Sequence, residues 1–214
     1  MTSYSTFQRW TPSIMVVLHA VGVIGIVSEY GPLFLSLTAL NLLINTGLAI
    51  HMDWQERHWN WIVAAAGGLV VEIIGVQTGW LFGNYQYGSA LGLQVAGVPW
   101  ILGALWWISL CGFGQWMDRI AQLRRQVSPR WLRAAVGASF MTALDGLIEP
   151  VAIRADWWSW EGGIVPWTNY ASWWGVAFLF YCLPYRTSKN MGAATLVAIF
   201  AVFFILLNGL KWNP

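Results

Sequence analysis

The stretch that decides the fold is residues 60–88, NWIVAAAGGLVVEIIGVQTGWLFGNYQYG. Its first two-thirds form an apolar run long enough to cross a bilayer as a helix, since roughly 20 residues at about 1.5 Å per residue span the hydrocarbon core. One acid, Glu72, stands inside that run with no Lys or Arg near it in sequence. The run then enters a charge-free loop of Gly, Trp, Phe, Asn and Tyr. An ionisable group inside a span is expensive and usually faces the bundle interior or a water-filled cavity. Glu72 therefore points both to a membrane fold and to a site within it.

The rest of the chain agrees with a membrane solvent. Of 214 residues, 57% are hydrophobic and 9% charged, and the mean hydropathy is +0.55. No soluble domain of this size hides so much apolar surface. Candidate spans lie near residues 12–29, 32–50, 60–80, 97–117, 131–149, 169–185 and 191–210. The expected fold is all-α, a single polytopic bundle over residues 1–214 with about seven transmembrane helices. Arg119, Arg124, Arg125, Arg130 and Arg133 cluster in DRIAQLRRQVSPRWLR (118–133), where the fourth span gives way to the fifth, and Lys and Arg favour the cytoplasmic side. That choice also places Arg9, Arg57, Arg186 and Lys189 inside, nine of the eleven basic residues in all. The N-terminus is then cytoplasmic, in the cell (inner) membrane, and the long connections 81–96 and 150–168 fall outside. The first run has one basic residue before it, Arg9, and no small-residue cleavage pattern after it, which predicts a retained span. The net charge of +2 forms no basic patch, so no nucleic-acid partner is expected. Cys111 and Cys182 lie in apolar stretches and read as packing residues.

The acids sort by position. Asp53, Glu56 and Asp118 fall in the cytoplasmic connections and read as solvated charges, and Glu29 ends the first span at the outer interface. Glu72, Asp145 and Glu149 lie within or at the end of apolar helices. Gly68, Glu72, Gly75 and Gly79 share one helical stripe, where small residues admit a neighbouring helix or a flat ligand. In FMTALDGLIEP (140–150), Thr142, Asp145 and Glu149 share a face and Pro150 is expected to end the helix. Glu72 lies twelve residues after Asn60, and Asp145 twelve after Arg133, so both are roughly 18 Å from the cytoplasmic boundary. Glu149 is one turn nearer the outer surface. Each acid taken alone also reads as a strut hydrogen-bonded to Asn, Ser or Trp on other helices. Two at matched depth beside aromatic loops favour a site. A buried carboxyl in its neutral form is a proton donor, which implies general acid chemistry on an apolar substrate.

Tryptophan is abundant, with 17 in the chain. Trp10, Trp54, Trp59, Trp61, Trp116, Trp131 and Trp212 lie near span ends, where interfacial belts favour them. The runs GWLFGNYQY (79–87), DWWSW (156–160) and PWTNYASWW (166–174) cluster beside the acids. They read either as a further belt or as a lining whose π-faces hold a cation. Asn41 and Asn45 lie one turn apart in the second span and His19 lies in the first, where helix contact is the simpler reading. Three histidines are too few for a di-iron membrane oxygenase, no lysine sits within the last span for a retinal, and no phosphate loop is present.

Glu72-x-x-Gly75-x-x-Thr78-Gly79-x-x-Phe82-Gly83-x-Tyr85-x-Tyr87, followed by Gly97-Val98-Pro99-Trp100, resembles the signature of the carotenoid 1,2-hydratase family. That family includes γ-carotene 1′-hydratases and bisanhydrobacterioruberin hydratases. The second half is similar too, through Ala143-Leu144-Asp145-Gly146-Leu147-Ile148-Glu149-Pro150-Val151-Ala152, Trp158-x-Trp160, Gly163-Ile164-Val165-Pro166 and Asn169-Tyr170-x-x-Trp173. The likeness spans about residues 70–175. Trp80-Leu81, Glu149 and Trp167-Thr168 depart from the family pattern, which bears on the substrate end group more than on the reaction.

The resemblance implies hydration of a linear (ψ) carotenoid end group, with no cofactor and no metal. Asp145 or Glu72 is then the acid that protonates carbon 2 of the terminal double bond, leaving a tertiary cation at carbon 1. Glu149 completes the catalytic acids. Trp80, Phe82, Asn84, Tyr85, Tyr87, Trp158, Asn169 and Trp173 are the expected substrate-binding residues. Among them Trp80, Tyr85, Trp158 and Trp173 face the cation, and Asn84 or Asn169 helps a second carboxylate to orient water. The expected partners are a lipid-soluble carotenoid arriving laterally, membrane lipid and other enzymes of carotenoid biosynthesis. Two alternatives stand beside this. A lycopene-cyclase-like enzyme would trap the same cation with a ring double bond, and a carotenoid-binding or transport protein would use the acids as a proton relay.

Overall fold

The computed structural model describes residues 6–124, 129–183 and 186–213. Arg125, one of the residues used above to orient the chain, lies outside the described residues. Among those described, eight α-helices dominate: α1 (Thr6–Val27), α2 (Gly31–Ser36), α3 (Thr38–Asp53), α4 (Asn60–Thr78), α5 (Ile101–Arg124), α6 (Arg130–Arg154), α7 (Trp167–Cys182) and α8 (Gly192–Gly209). Four of them, α1, α4, α6 and α8, are long and apolar enough to cross a membrane. The protein is therefore an all-α bundle with four candidate membrane helices among the described residues. The other stretches read as spans are helical but fall short of that measure. α3 and α7 have 16 residues each. α5 has 24, but Gln115, Asp118, Arg119 and Arg124 dilute its apolar content.

α5 and α8 form the centre. α5 packs on α4, α6 and α8, while α8 also packs on α1, α3 and α6, and α7 lies along α6. Close approach rests on small residues. A Cβ on Gly112 of α5 would sit 2.7 Å from the Ala193 carbonyl of α8. The core between them holds Ile108, Leu196, Val197 and Leu207, each fully or almost fully buried.

Three local expectations change. The second span is two helices, broken at Leu37. Pro150 does not end α6, which continues to Arg154. A proline costs one backbone bond and a clash within a helix, yet Val151 and Ala152 beyond it are completely buried. Their carbonyls also accept from Ala155 and Trp157 at 2.8 and 2.9 Å. Tertiary packing thus outweighs the local breaker. Asp53, read as a solvated charge, is wholly buried. It accepts from the Gln115 amide at 2.7 Å and from the Gly192 and Ala193 backbone N–H groups at 2.9 and 3.0 Å, capping the start of α8. Asp118 matches its reading better, pairing with Arg133 at 2.5 Å in a half-exposed ion pair.

The long connections also carry short strands: β1 (Tyr85–Tyr87), β2 (Gln94–Val95), β3 (Val98–Pro99) and β4 (Trp158–Trp160). β2 and β3 form a small hairpin. β1 pairs antiparallel with β4, 70 residues away in sequence, with Tyr85 opposite Trp160 and Tyr87 opposite Trp158. The connections read as lying on one side of the bundle thus meet in a single ribbon.

Candidate active site

The ribbon's sequence sets its chemistry. Alternate residues of a strand share a face, so Y-x-Y on β1 and W-x-W on β4 present four aromatic rings together. The spacer Gln86 is exposed on the other face. The rings lock through cross-strand contacts, Tyr85 with Trp160 at 5.0 Å and Tyr87 with Trp158 at 5.9 Å between centroids. Such pairs contribute about 0.5–1.5 kcal/mol each beyond burial. Each ring also carries one polar atom, and all four aim at carboxylates of the helices beneath.

Glu72 of α4 receives three donors. Its Oε2 accepts from the Tyr85 and Tyr87 hydroxyls at 2.7 and 2.8 Å, and its Oε1 from the Trp106 indole at 3.0 Å. Burial first, and then the adjacent Glu72 carboxyl, push both phenols above their ordinary range, so they remain donors. Trp106 comes from α5 and reaches Glu72 because Gly68 leaves room. A Cβ on Gly68 would lie 2.2 Å from the indole Cγ. Gly75 makes the same allowance for Phe82, whose ring would lie 2.5 Å from a Cβ there. At Gly68 and Gly75 the glycine stripe is thus filled by the protein's own rings.

Glu149 of α6 is held in the same manner. Its Oε2 accepts from the Trp158 and Trp160 indoles at 3.0 and 3.1 Å. Asn169, at the start of α7, donates to Asp145 Oδ2 at 3.0 Å and more distantly to Glu149 Oε1 at 3.4 Å. Asp145 and Glu149 are one helical turn apart, so one amide spans both. Asp145 Oδ1 has no donor among the described residues. An indole N–H only donates and cannot receive a proton, so Glu72 Oε1 and Glu149 Oε2 are committed as acceptors. Asp145 Oδ1 is the carboxyl oxygen left free to carry a proton outward.

Two cavities meet at this residue. One of about 40 Å³ is lined by Glu72, Asp145, Glu149 and Asn169 with the rings of Phe82, Tyr85, Tyr87, Trp158, Trp160 and Trp173. Since about 10–15 Å³ of such space holds one water, it has room for at least one. The other, of about 320 Å³, is walled by Leu, Ile and Phe side chains of α1, α3, α5, α6 and α8. Asp145, Leu102, Trp158 and Trp173 line both. Trp173 is held by a parallel stack on Trp106, with centroids 4.4 Å apart and planes 2° from parallel. Along the wall of the larger cavity, Val21, Leu37, Leu40 and Ile44 are exposed at the bundle surface, so it opens sideways between α1 and α3.

The structure brings together nine of the eleven residues picked from sequence: Glu72, Phe82, Tyr85, Tyr87, Asp145, Glu149, Trp158, Asn169 and Trp173. Two stand apart. Trp80 is 88% exposed, carried outward by the left-handed turn at Gly79, whose φ is 66°. Asn84 is exposed and donates to Glu161 at 2.6 Å, clasping the end of the ribbon instead of facing the cavity. Sequence reasoning missed Trp106 and Trp160. Trp160 was legible from the mirrored Y-x-Y and W-x-W patterns, whereas nothing local marks Trp106.

The family model for carotenoid biosynthesis proteins matches residues 30–212. The chain belongs to this family. All the carboxylates and aromatic donors above lie within the matched residues. One curated relative is the bisanhydrobacterioruberin hydratase of Haloarcula japonica, 27% identical over 107 residues, 48% of this chain and 36% of that protein. The matched stretch thus spans about a third of the relative's length. No solved structure matches.

Proposed function

We propose that this carotenoid biosynthesis protein adds water across the terminal 1,2 double bond of a linear carotenoid end group. The observation that carries the reading is Asp145, which lines both the apolar chain-sized cavity and the polar, water-sized one and has one carboxyl oxygen without a donor among the described residues. A hydratase needs those two compartments to touch at an acid. The end group lies in the larger cavity, reached from lipid between α1 and α3. Asp145, as the carboxylic acid, protonates carbon 2 through Oδ1, and the positive charge develops at the tertiary carbon 1. The faces of Trp158 and Trp173 stand beside it and favour a cation. Water in the smaller cavity, held by Glu149 and Asn169, attacks carbon 1 and gives its proton to Glu149. Return of that proton to Asp145 across the same cavity completes the cycle. Glu72 anchors the ribbon through its three donors and sets the shape of the pocket.

This reading includes the placement of α3, α5 and α7 within the membrane beside the four candidate membrane helices. It also includes a cytoplasmic N-terminus in the inner membrane, with the ribbon on the outer side. The name of the haloarchaeal relative supports hydration as the reaction class. Expression in a host that accumulates lycopene or γ-carotene tests it. The expected product is heavier by one water and more polar. A product of unchanged mass but new spectrum would assign cyclisation instead, and unchanged pigment would overturn the enzymatic reading.

A further inference from the structure

Beyond Asp145, the polar side chains lining the larger cavity include Thr38 of α3 and Ser109 of α5 and, on the facing helices α1 and α3, His19 and Asn41. Backbone carbonyls fix the polarity of His19 and Asn41. His19 Nδ1 lies 2.9 Å from the Met15 carbonyl. A carbonyl only accepts, so the proton sits on Nδ1 and Nε2 of the neutral ring is an acceptor. Asn45 donates its amide to the Asn41 carbonyl at 2.8 Å, which fixes that amide as a donor. The same nitrogen lies 2.6 Å from the Asn41 side chain, which must therefore present Oδ1 to it. Asn41 Nδ2 is left pointing over Gly22, one turn above His19, and Gly22 also lines the cavity. Neither His19 Nε2 nor Asn41 Nδ2 has a partner among the described residues. The rings nearest His19 are Phe200 and Phe203, both at 5.5 Å, which offer it no hydrogen bond.

An acceptor and a donor on facing helices, set in an apolar wall, match the two capacities of one alcohol. A hydroxyl donates its proton to Nε2 and accepts from Nδ2. Polar atoms in such surroundings are costly unless bonded, so a ligand carrying that group gains over one that lacks it. We propose that His19 and Asn41 form a hydroxyl-recognition site, and that the cavity takes an acyclic isoprenoid chain bearing an alcohol oxygen remote from the double bond presented to Asp145. Asn45 acts as a positioning residue by turning the Asn41 amide. The isoprenoid part rests on the function proposed above. The polar pair does not depend on which residue performs the chemistry.

The test is binding of two probes of equal chain length, farnesol and the hydrocarbon β-farnesene, to the purified full chain in detergent, followed by quenching of tryptophan fluorescence. The native protein binds farnesol roughly tenfold tighter than β-farnesene, as two hydrogen bonds of ordinary strength require. His19→Leu and Asn41→Leu each reduce that ratio below about threefold. Comparing ratios between native and variant proteins cancels partition into the micelle. Should His19→Leu fail to fold, Asn41→Leu alone decides the matter. Equal binding of both probes by the native protein, or a ratio unchanged in Asn41→Leu, overturns the site. Loss of hydration in the pigment assay with the alcohol preference intact would sink the reaction and leave this site standing.

Discussion

Asp145→Asn separates holding from reacting. The replacement has the same shape, and its amide oxygen can keep the 3.0 Å bond from Asn169. Its nitrogen then takes the place of Oδ1, which has no donor to lose among the described residues. No buried group is stranded, so stability changes by less than about 1 kcal/mol, within about 2–4 °C in Tm for a chain of this size. The acidic proton is gone, however. General acid catalysis contributes about 10²–10⁴-fold, or about 2.7–5.4 kcal/mol of barrier, and that is the expected loss in product formation. Glu72→Gln should behave in the opposite way. The Trp106 indole demands the remaining oxygen, so the new amide nitrogen faces two phenols. At least one phenol proton then loses its acceptor, at a cost of about 1–3 kcal/mol. The assay pairs pigment chromatography and mass in the carotenoid-accumulating host with thermal unfolding of each purified variant. Asp145→Asn retaining more than a tenth of native product at equal protein level would refute the assignment. So would a Glu72→Gln protein as stable as the native one yet less active than Asp145→Asn.

Three further outcomes follow from the packing. Gly68→Ala drives a methyl into Trp106, so Tm falls by the equivalent of about 1–3 kcal/mol of overpacking, and the tryptophan emission shifts as the stack on Trp173 is disturbed. Asp53→Ala removes the acceptor for two N–H groups of α8 and for Gln115, costing about 2 kcal/mol or more, with hydrogen exchange rising first at residues 192–194. The fold holds the Tyr85 and Tyr87 phenols protonated where an unfolded chain releases them, near pH ~10. The unfolded state then binds fewer protons, so this contribution to stability is present below pH ~10 and declines as pH rises above it. Denaturant titrations at alkaline pH should show that decline flattened in Tyr85→Phe and Tyr87→Phe.

The legible and illegible parts of this protein divide along physical lines. Glu72, Asp145 and Glu149 could be read because an acid in an apolar helix is costly wherever it lies, and helical spacing gives depth without knowledge of packing. The pairing of β1 with β4 could not be read. A three-residue strand carries too little alternation to announce a partner 70 residues away. Trp80 was misplaced because closeness in sequence stood in for closeness in space, and a single left-handed turn at Gly79 sends the chain the other way. Asp53 was misread because charge near a span end is usually solvated, whereas here the uncapped start of α8 claims it. The larger cavity was missed because α1, α3 and α8 lie outside the stretch that carried the family likeness. Their lining residues look like ordinary membrane helix.

The distribution of donors explains why one site needs so many carboxylates. Seven hydrogen bonds reach the three acids, and six of them end on Glu72 and Glu149, while Asp145 receives one, from the Asn169 amide that ties α7 to α6. Those bonds fasten a two-stranded ribbon that has too little backbone pairing to stand alone. The ribbon in turn closes the small cavity and sets Trp158 beside Asp145. On the proposed reaction, a carboxylate oxygen that holds indole or phenol donors is badly placed to deliver a proton to the alkene, while Glu149 Oε1, which meets only the Asn169 amide at 3.4 Å, can still take the proton of the attacking water. Dividing the work resolves the conflict. On that reaction Glu72 and Glu149 keep the cap in place, and Asp145, with one donor and one oxygen without a donor, is the acid left for the alkene.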